Sequence, residues 1–347
     1  MNKSTSPLQL YEAPQVFVPY TTVDLYRYAF LLLSMPVVFG IIIFGVSAMI
    51  TIVSALVSAL VIEIVLPRKK KLPEHSMFIA LLIGASLPPQ VPLFIPVTCT
   101  VLALLVDKKV IKKIDPAYVH PVALGITLAY TGFSSFMKKS FLTPFMHVPI
   151  DTVSQASTFA RLQLERSQNP DVSFWGAKLT DALNTSLFDV LGVHIPDGLM
   201  DAFIGLTRGS IGETSAFLIL VVSIFLIIRG LFPAWVMMSY FLGFTIPYYI
   251  FGGLTEGWGF FHGNVLVHIF SGSFLLGMFF LAADIMYSPL IRVGHIIYGS
   301  SIGFLVALFS LSHVFSWLGV AVAVLMVHFF APSIESFSLS LRRKRRK

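Results

Sequence analysis

The sequence predicts an all-α integral membrane protein with about ten transmembrane helices. Of its 347 residues, 56% are hydrophobic and only 12% are charged. A soluble domain has roughly 25% charged residues, so this chain carries about half the charge that a water-facing surface requires. The mean hydropathy is +0.84, and the apolar residues form long blocks instead of alternating with polar ones. Both features indicate a chain that faces lipid.

The apolar blocks fall into two groups of five, on either side of a polar stretch at 137–208. The first group lies at 28–44, 47–66, 76–87, 91–106 and 117–136, and the second at 215–228, 233–251, 263–283, 293–312 and 317–330. The polar stretch is roughly 70 residues long, which is too long for a simple connection and indicates a functional loop. The sequence therefore predicts a tail with a first five-helix repeat (1–136), a loop (137–208), a second five-helix repeat (209–331) and a basic tail (332–347).

The distribution of lysine and arginine predicts the orientation. Short cytoplasmic loops collect these residues, and here they lie in alternate short loops, at 68–71, 108–113, Arg229, Arg292 and 342–347. The intervening short loops contain neither residue. Both termini are therefore predicted to be cytoplasmic and the long loop external. Because the basic runs adjoin apolar segments, they indicate contact with membrane lipid rather than with nucleic acid.

Five segments in each half also predict an inverted repeat, because an odd number of spans reverses the second half. The third and eighth segments end in comparable helix-breaking motifs, at 86–89 and 284–289. Interrupted segments at matching positions in two halves point to a binding site at the repeat interface.

A glycine-rich motif at 209–215 opens the sixth segment. Ser210 and Glu213 have the spacing of a capping box, in which each side chain bonds the backbone N–H of the other residue. One interpretation is a well-capped helix. The other is that Gly209 and Gly212 let the backbone approach an anion at a helix N-terminus, such as a flavin phosphate.

Few other residues suggest chemistry. Glu63 and Asp284 are candidates for an ion pathway, because ionisable groups at membrane depth are costly and often functional. The histidines are dispersed in sequence without metal-ligand spacing, and no catalytic arrangement is evident, so neither a metal site nor a catalytic residue is predicted. Cys99 is the only cysteine. Redox chemistry would therefore need an organic cofactor or a cluster held by a partner.

Several motifs in the second half resemble a known family: those at 203–205, 209–215, 268–273, 277–284, 288–289 and 331–335. They are similar to the D subunit of the Rnf electron-transport complex and the B subunit of the sodium-pumping NADH:quinone reductase. The first half agrees through 87–89 and the pattern of spans. The resemblance covers most of the chain.

The resemblance implies a ten-helix, two-repeat subunit of the bacterial plasma (inner) membrane, similar in arrangement to urea-channel proteins. It implies that the chain is a flavoprotein that takes part in electron transport. FMN would lie on the outer face and be attached to a threonine through a phosphoester. It also implies the other subunits of an Rnf complex as partners, and coupling to Na⁺ or H⁺ movement. The chain would then be part of a redox-driven ion translocase of the ferredoxin/NAD oxidoreductase type, not an enzyme on its own.

The chain departs from the family pattern where the flavin would be attached. Gly176 and Ala177 match the Ser-Gly-Ala-Thr motif, but Lys178 occupies the threonine position, and a lysine cannot form that phosphoester. Thr180 lies two residues further on, where its side chain points in another direction. The usual Asn-Pro-Ala is also replaced, by His120-Pro121-Val122.

These departures predict FMN or riboflavin bound without a covalent link. The predicted cofactor-binding residues are Gly176, Ala177, Lys178, Thr180, Gly209, Ser210, Gly212 and Glu213. The alternative hypothesis is a flavin- or small-solute-binding or transport protein of channel-like fold, a paralogue without covalent FMN.

Overall fold

A computed structural model describes residues 21–66, 73–111, 115–142, 178, 180–182, 185, 199–255, 259–263, 265–270, 272–312 and 317–345. Helices joined by turns account for these residues, and no strand occurs among them. Most of the predicted external loop lies outside the described residues.

The helices before that loop are α1 (Thr22–Phe44), α2 (Val46–Val65), α3 (Pro73–Ser86), α4 (Phe94–Asp107), α5 (Pro121–Gly132) and α6 (Ser134–Lys139). Those after it are α7 (Leu199–Ile204), α8 (Ala216–Ile228), α9 (Ala234–Thr255), α10 (Val265–Phe270) and α11 (Gly272–Leu276), then a π-helical stretch (Gly277–Ala282), α12 (Arg292–Leu311), α13 (Trp317–Phe329) and α14 (Ala331–Arg345).

The described helices include 4 that are long and apolar enough to cross a membrane, namely α1, α2, α9 and α12. A fifth span is formed if α13 and α14, which meet at a 53° bend, are taken together. Further apolar helices, among them α4, α5 and α8, are shorter. At 1.5 Å per residue, a helix of about 13 residues reaches only about 20 Å of a hydrocarbon core about 30 Å thick. The protein is thus a multi-pass, all-helical membrane protein.

Helix α2 shows how these helices pack. Its buried face consists mainly of small residues, including Ala48, Ala55 and Ala59, while the exposed face carries large apolar side chains such as Val57 and Ile64. A soluble helix would instead bury its large apolar side chains and expose polar ones. Here the large apolar side chains are placed to contact lipid, and the small residues let neighbouring membrane helices approach closely. The small face of α2 packs against α3 and α4.

The turn between α1 and α2 lies at Gly45, between the first two predicted apolar segments. This residue has φ of 75°, a left-handed conformation that favours glycine. The other end of α1 begins with a capping box: Thr21 Oγ1 accepts from Asp24 N–H at 3.2 Å, and Asp24 Oδ2 accepts from Thr21 N–H at 3.3 Å. Such a cap typically stabilises a helix by about 1 kcal/mol.

The predicted break after the eighth segment is confirmed. The π-helical stretch ends at Ala282, and Asp284 follows in a short turn before α12. Single π-helical turns often occur at functional sites, because they shift the residues that follow them out of the regular helical register.

Candidate functional site

Asp284 is buried where the two halves of the chain meet. Its Oδ1 accepts a hydrogen bond from the hydroxyl of Tyr26 at 2.6 Å and another from the N–H of Met286 at 3.1 Å. Its carboxylate has 0% exposure, and within the described part of the chain Oδ2 has no hydrogen-bond partner. Tyr26 lies in the first turns of α1, so this bond joins the start of the first half to the break in the second half.

A second buried carboxylate, Asp107, ends α4. Its Oδ1 accepts from the hydroxyl of Tyr287 at 2.6 Å, and its Oδ2 lies 3.5 Å from Nδ1 of His75 at the start of α3. The first and second halves are again linked, because Tyr287 belongs to the turn that contains Asp284. His75 also packs edge-on against Tyr26, with ring centroids 4.4 Å apart.

Two histidines that are distant in sequence complete the arrangement. His120 lies against Tyr287 at 4.5 Å between centroids and against His328 at 5.4 Å. Nε2 of His328 is 3.0 Å from the carbonyl of Pro116, and its Nδ1 is 3.4 Å from the hydroxyl of Tyr298. The sequence pattern gave no reason to group His120 with His328. The fold brings them together by placing the start of α5 beside the end of α13.

We call this group the acid–base cluster. Its members form one continuous series of contacts, in the order Asp284, Tyr26, His75, Asp107, Tyr287, His120, His328 and Tyr298. Each of these side chains carries a group that can bind or release a proton. Among the described residues, no three His, Cys, Asp or Glu side chains are arranged to hold a metal ion.

A pocket of about 610 Å³ opens beside the cluster, where α4 and α13 end. Asp107, Tyr287 and His328 reach its wall from the cluster, and Lys109 and Asp115 lie at its rim. Asp115 is in the loop after α4, where the N–H of Ala117 and the ammonium of Lys109 hold the pKa of its carboxyl below the usual value. The pocket therefore joins buried titratable groups to an aqueous, charged surface.

Glu63, the other predicted ion-pathway residue, lies next to this region but in a different environment. Its Oε2 pairs with Nζ of Lys108 at 2.5 Å and accepts from the hydroxyl of Ser76 at 2.9 Å. Lys108 also donates to the carbonyl of Leu66 at 2.8 Å. These bonds tie together the end of α2, the start of α3 and the end of α4. Glu63 is therefore held in an ion pair, whereas Asp284 has none among the described residues.

The predicted reach of Glu213 to the backbone of Ser210 is present, at 2.7 Å between Oε1 and the N–H. The other half of the predicted capping box is wrong, because the hydroxyl of Ser210 instead accepts from Nε1 of Trp317 at 2.6 Å. Helix α8 begins further on, with Ser215 as its N-cap accepting from the N–H of Leu218 at 3.3 Å.

The loop of residues 209–215 does not fit a phosphate. The N–H groups of Ile211 and Gly212 donate to the carbonyls of Leu87 and Ala85 at 3.1 and 2.8 Å. The N–H of Glu213 donates within the loop, to the carbonyl of Ser210, at 3.2 Å. With Ser210 N–H bound to Glu213, the consecutive amides from 210 to 213 already have protein acceptors.

The glycines of this loop serve close packing instead. A Cβ at Gly212 would lie 2.6 Å from Cβ of Ala85, and one at Gly209 would lie 3.0 Å from the side chain of Glu213. Gly40 of α1 likewise packs directly on the carbonyl of Ile211. The loop is therefore a tightly packed joint between α1, the end of α3 and α13.

The predicted attachment region is described only in part. Gly176 and Ala177 lie outside the described residues. Lys178 is helical and exposed, and Thr180, also helical, is fully buried.

Fold and site together define a class: a multi-pass helical membrane protein with ionisable groups buried where its two halves meet. The sequence model described as "NQR2, RnfD, RnfE family" matches residues 10–342. The chain is similar to the D subunit of the proton-translocating ferredoxin:NAD(+) oxidoreductase complex of Clostridium ljungdahlii. Identity is 25% over 321 residues, which covers 89% of this chain and 87% of the relative.

It is also similar to the B subunit of the Na(+)-translocating NADH-quinone reductase of two other bacteria. Identity is 30% over 226 residues for Chlamydia caviae and 30% over 147 residues for Chromohalobacter salexigens. These matches span 45% and 36% of the relatives and 58% and 42% of this chain. The chain belongs to the NQR2, RnfD, RnfE family. This family contains membrane subunits of electron-transport, ion-translocating complexes, as the sequence motifs predicted.

Proposed function

We propose that the protein is the D-type membrane subunit of an Rnf-type complex, in which electron transfer is coupled to Na⁺ or H⁺ movement. The observation that carries this proposal is the family match over residues 10–342. The other subunits of such a complex are its proposed partners. The location is a bacterial plasma membrane, with both termini in the cytoplasm and the 137–208 loop outside. The protein would act as part of a redox-driven translocase.

The same proposal includes ten transmembrane helices in two inverted repeats. Two crossed contacts support it. The break after α3 accepts hydrogen bonds, through Ala85 and Leu87, from the loop that opens the second half. The break after the π-helical stretch accepts a hydrogen bond, through Asp284, from Tyr26 where the first half opens. Each break thus bonds the beginning of the opposite half, as a two-fold relation requires.

Fusions of a reporter after Lys71, Lys113 and Lys347 test the orientation. All three are expected on the cytoplasmic side, and a fusion at Gln168 is expected outside. A cytoplasmic reporter at Gln168 would contradict the orientation.

A flavin, FMN or riboflavin, would supply one- and two-electron chemistry, and we propose that it binds without a covalent link. The loop of residues 209–215 takes no part in this proposal, because its amides from 210 to 213 already donate to protein acceptors. The region of Lys178 remains the proposed location, and an exposed ammonium there can pair with a phosphate. Mass spectrometry of the tryptic peptide that contains Thr180 should show no added flavin mass. Quantitative modification of Thr180 would contradict this part of the proposal.

Purification of the tagged full-length chain from its native membranes tests the main proposal. It should bring down the other subunits, and flavin absorbance should appear in the supernatant after denaturation. The rival function is that of a flavin- or solute-binding membrane protein, which the replacement of threonine by Lys178 favours. Two results together would favour the rival function over the main proposal. The chain would purify alone, and membranes that lack it would retain full ferredoxin:NAD⁺ oxidoreductase activity.

A further inference from the structure

We propose that the acid–base cluster is a proton-binding site, in which Asp107 exchanges a proton with His75 and the adjoining pocket gives Asp107 access to water. The inference rests on the proposed function in one respect, since it names H⁺ as the ion that this subunit handles. Asp107 and His75 are central to it, and the sequence motifs pointed to neither.

The side chains of the cluster suit a proton better than a metal cation. Hard cations are held by several oxygen atoms that surround them. In this cluster one oxygen of each carboxylate already accepts from a tyrosine hydroxyl, at 2.6 Å for both Asp107 and Asp284. The remaining neighbours include the imidazoles of His75, His120 and His328. Chains of Asp and His at membrane depth are typical of proton relays.

The buried carboxylates also give the cluster negative charge that must be balanced. Two carboxylates are buried within one contact series, and a buried charge must be paired or neutralised. The adjacent lysine, Lys108, is bound to Glu63 and to the carbonyl of Leu66. Protons on the carboxylates or on the histidines are one means of balancing this charge, and such protons make the charge of the cluster depend on pH.

Several polar atoms of the cluster also have unused hydrogen-bonding capacity. Oδ2 of Asp284, both ring nitrogens of His75 and Nε2 of His120 have no hydrogen-bond partner among the described residues, and all three side chains have 0% exposure. A purely structural network buries its polar atoms in pairs, because each orphaned atom costs about 1–3 kcal/mol. The uncommitted nitrogens can each carry or release a proton.

The geometry also supplies a route. Asp107 lines the pocket, its Oδ2 is 3.5 Å from Nδ1 of His75, and His75 packs on Tyr26, which donates to Asp284. The proposed step is transfer of one proton between the Asp107 carboxyl and the His75 imidazole, so only an O–H and an N–H bond change. Among the described residues, the titratable groups around this pair are Tyr26, His120, Asp284 and Tyr287. The pocket wall adds Lys108, Lys109, Asp115, His328 and Glu335; Glu63 pairs with Lys108, and Tyr298 lies beyond His328.

Infrared difference spectra of the purified full-length chain, recorded between acid and alkaline pH, test the site without the rest of the complex. A carbonyl band of a buried, titrating carboxyl is expected, and Asp107→Asn should remove it. Glu74→Gln is the matched control: Glu74 precedes His75 but pairs with Arg27 at the surface, at 2.9 Å, so its variant should keep the band. A spectrum that Asp107→Asn leaves unchanged would overturn the proposal.

His75→Gln provides a second reading if the aspartate variant fails to fold. Glutamine keeps a polar side chain beside the carboxylate, but it cannot take up a proton as an imidazole does. The pH midpoint of the Asp107 band should shift in this variant, and an unshifted midpoint would overturn the proposed exchange.

Inverted vesicles that contain the whole complex test the ion. Asp107→Asn should abolish redox-driven proton uptake while electron transfer continues in the presence of a protonophore. Uptake of radioactive sodium that resists the protonophore, and that Asp107→Asn abolishes, would show a sodium site and overturn the proposal.

If the purified chain keeps the titrating band but does not assemble with other subunits, the proposed function fails and the proton site stands.

Discussion

The halves of the chain meet at two polar regions, the loop of residues 209–215 and the acid–base cluster, and these differ in how fully their polar atoms are bonded. In the loop, the consecutive amides from 210 to 213 donate to protein oxygens, and a Cβ added at Gly209 or Gly212 would meet a neighbour. In the cluster, a carboxylate oxygen of Asp284 and imidazole nitrogens of His75 and His120 have no partner among the described residues.

The difference separates a structural joint from a site for chemistry. Backbone amides cannot change charge, so burial requires them to be bonded. Carboxylates and imidazoles can gain or lose protons, and incomplete bonding leaves them able to do so. The glycine-rich motif was the more conspicuous signal in the sequence, yet the ionisable residues at the helix ends carry the stronger functional argument.

Gly40→Ala should have the largest effect, because it breaks the joint. The new Cβ would overlap the carbonyl of Ile211, which is backbone and cannot move aside cheaply. Overpacking of this kind costs about 1–3 kcal/mol or more, so a marked fall in membrane abundance and in Tm is expected. Gly132→Ala is the control, since its Cβ would meet only the Leu128 side chain, at 3.2 Å. Equal stability of the two variants would refute the tight joint.

Tyr26→Phe should have the next largest effect, and it acts on the cluster. The substitution removes the 2.6 Å hydrogen bond to Asp284, at a cost of about 1–3 kcal/mol for a buried carboxyl group. The packed loop of residues 209–215 is not changed by this substitution, so we expect the protein to assemble but to have a lower Tm. We also expect an altered infrared carboxyl band. Tyr249→Phe, at a half-exposed tyrosine, should change neither. An unaltered band in Tyr26→Phe would show that the Tyr26–Asp284 bond does not influence the titrating carboxyl of Asp107.

The sequence predicted the helix boundaries better than the cluster, for a physical reason. Gly45 and the 284–289 turn are local signals, because backbone conformation and proline position act within a few residues. The bonds of the cluster join residues 258 and 180 positions apart, which no local pattern reports. One signal was available: His75, Asp107, His120, Asp284 and His328 all fall near the ends of apolar segments on the side predicted to be cytoplasmic.

The capping box shows how tertiary contacts override a local pattern. Ser210 and Glu213 have the right spacing, and the carboxylate does reach back. Trp317 needs an acceptor for its buried indole N–H and takes the Ser210 hydroxyl. Ser215 then caps α8 at a position equally allowed by the sequence. Trp317 lies 107 positions from Ser210 in the chain, so no local sequence pattern could predict that it would bond the Ser210 hydroxyl.

Trp317→Phe tests that competition and should have an intermediate effect. It removes the 2.6 Å hydrogen bond to Ser210, which contributes about 1 kcal/mol net to stability. The smaller phenyl ring also makes fewer packing contacts, which lowers stability further. A double-mutant cycle with Ser210→Ala should give a coupling energy of about 1 kcal/mol. Trp235→Phe, at an exposed tryptophan, is the control for the change of ring. A coupling energy near zero would mean that the bond contributes nothing to the joint.

Glu213→Gln should have the smallest effect. Glutamine keeps a side-chain oxygen that can accept the N–H of Ser210, now 2.7 Å from Glu213 Oε1, while the negative charge disappears. If Glu213 serves the joint alone, abundance and Tm should stay close to wild type, within about 0.5 kcal/mol, and ion-coupled electron transfer should persist. Asp284→Asn makes the same change of carboxylate to amide inside the cluster, and there we expect folded protein with impaired coupling. Impaired coupling in a normally abundant Glu213→Gln protein would give the loop a charged functional role and remove the distinction between the two regions.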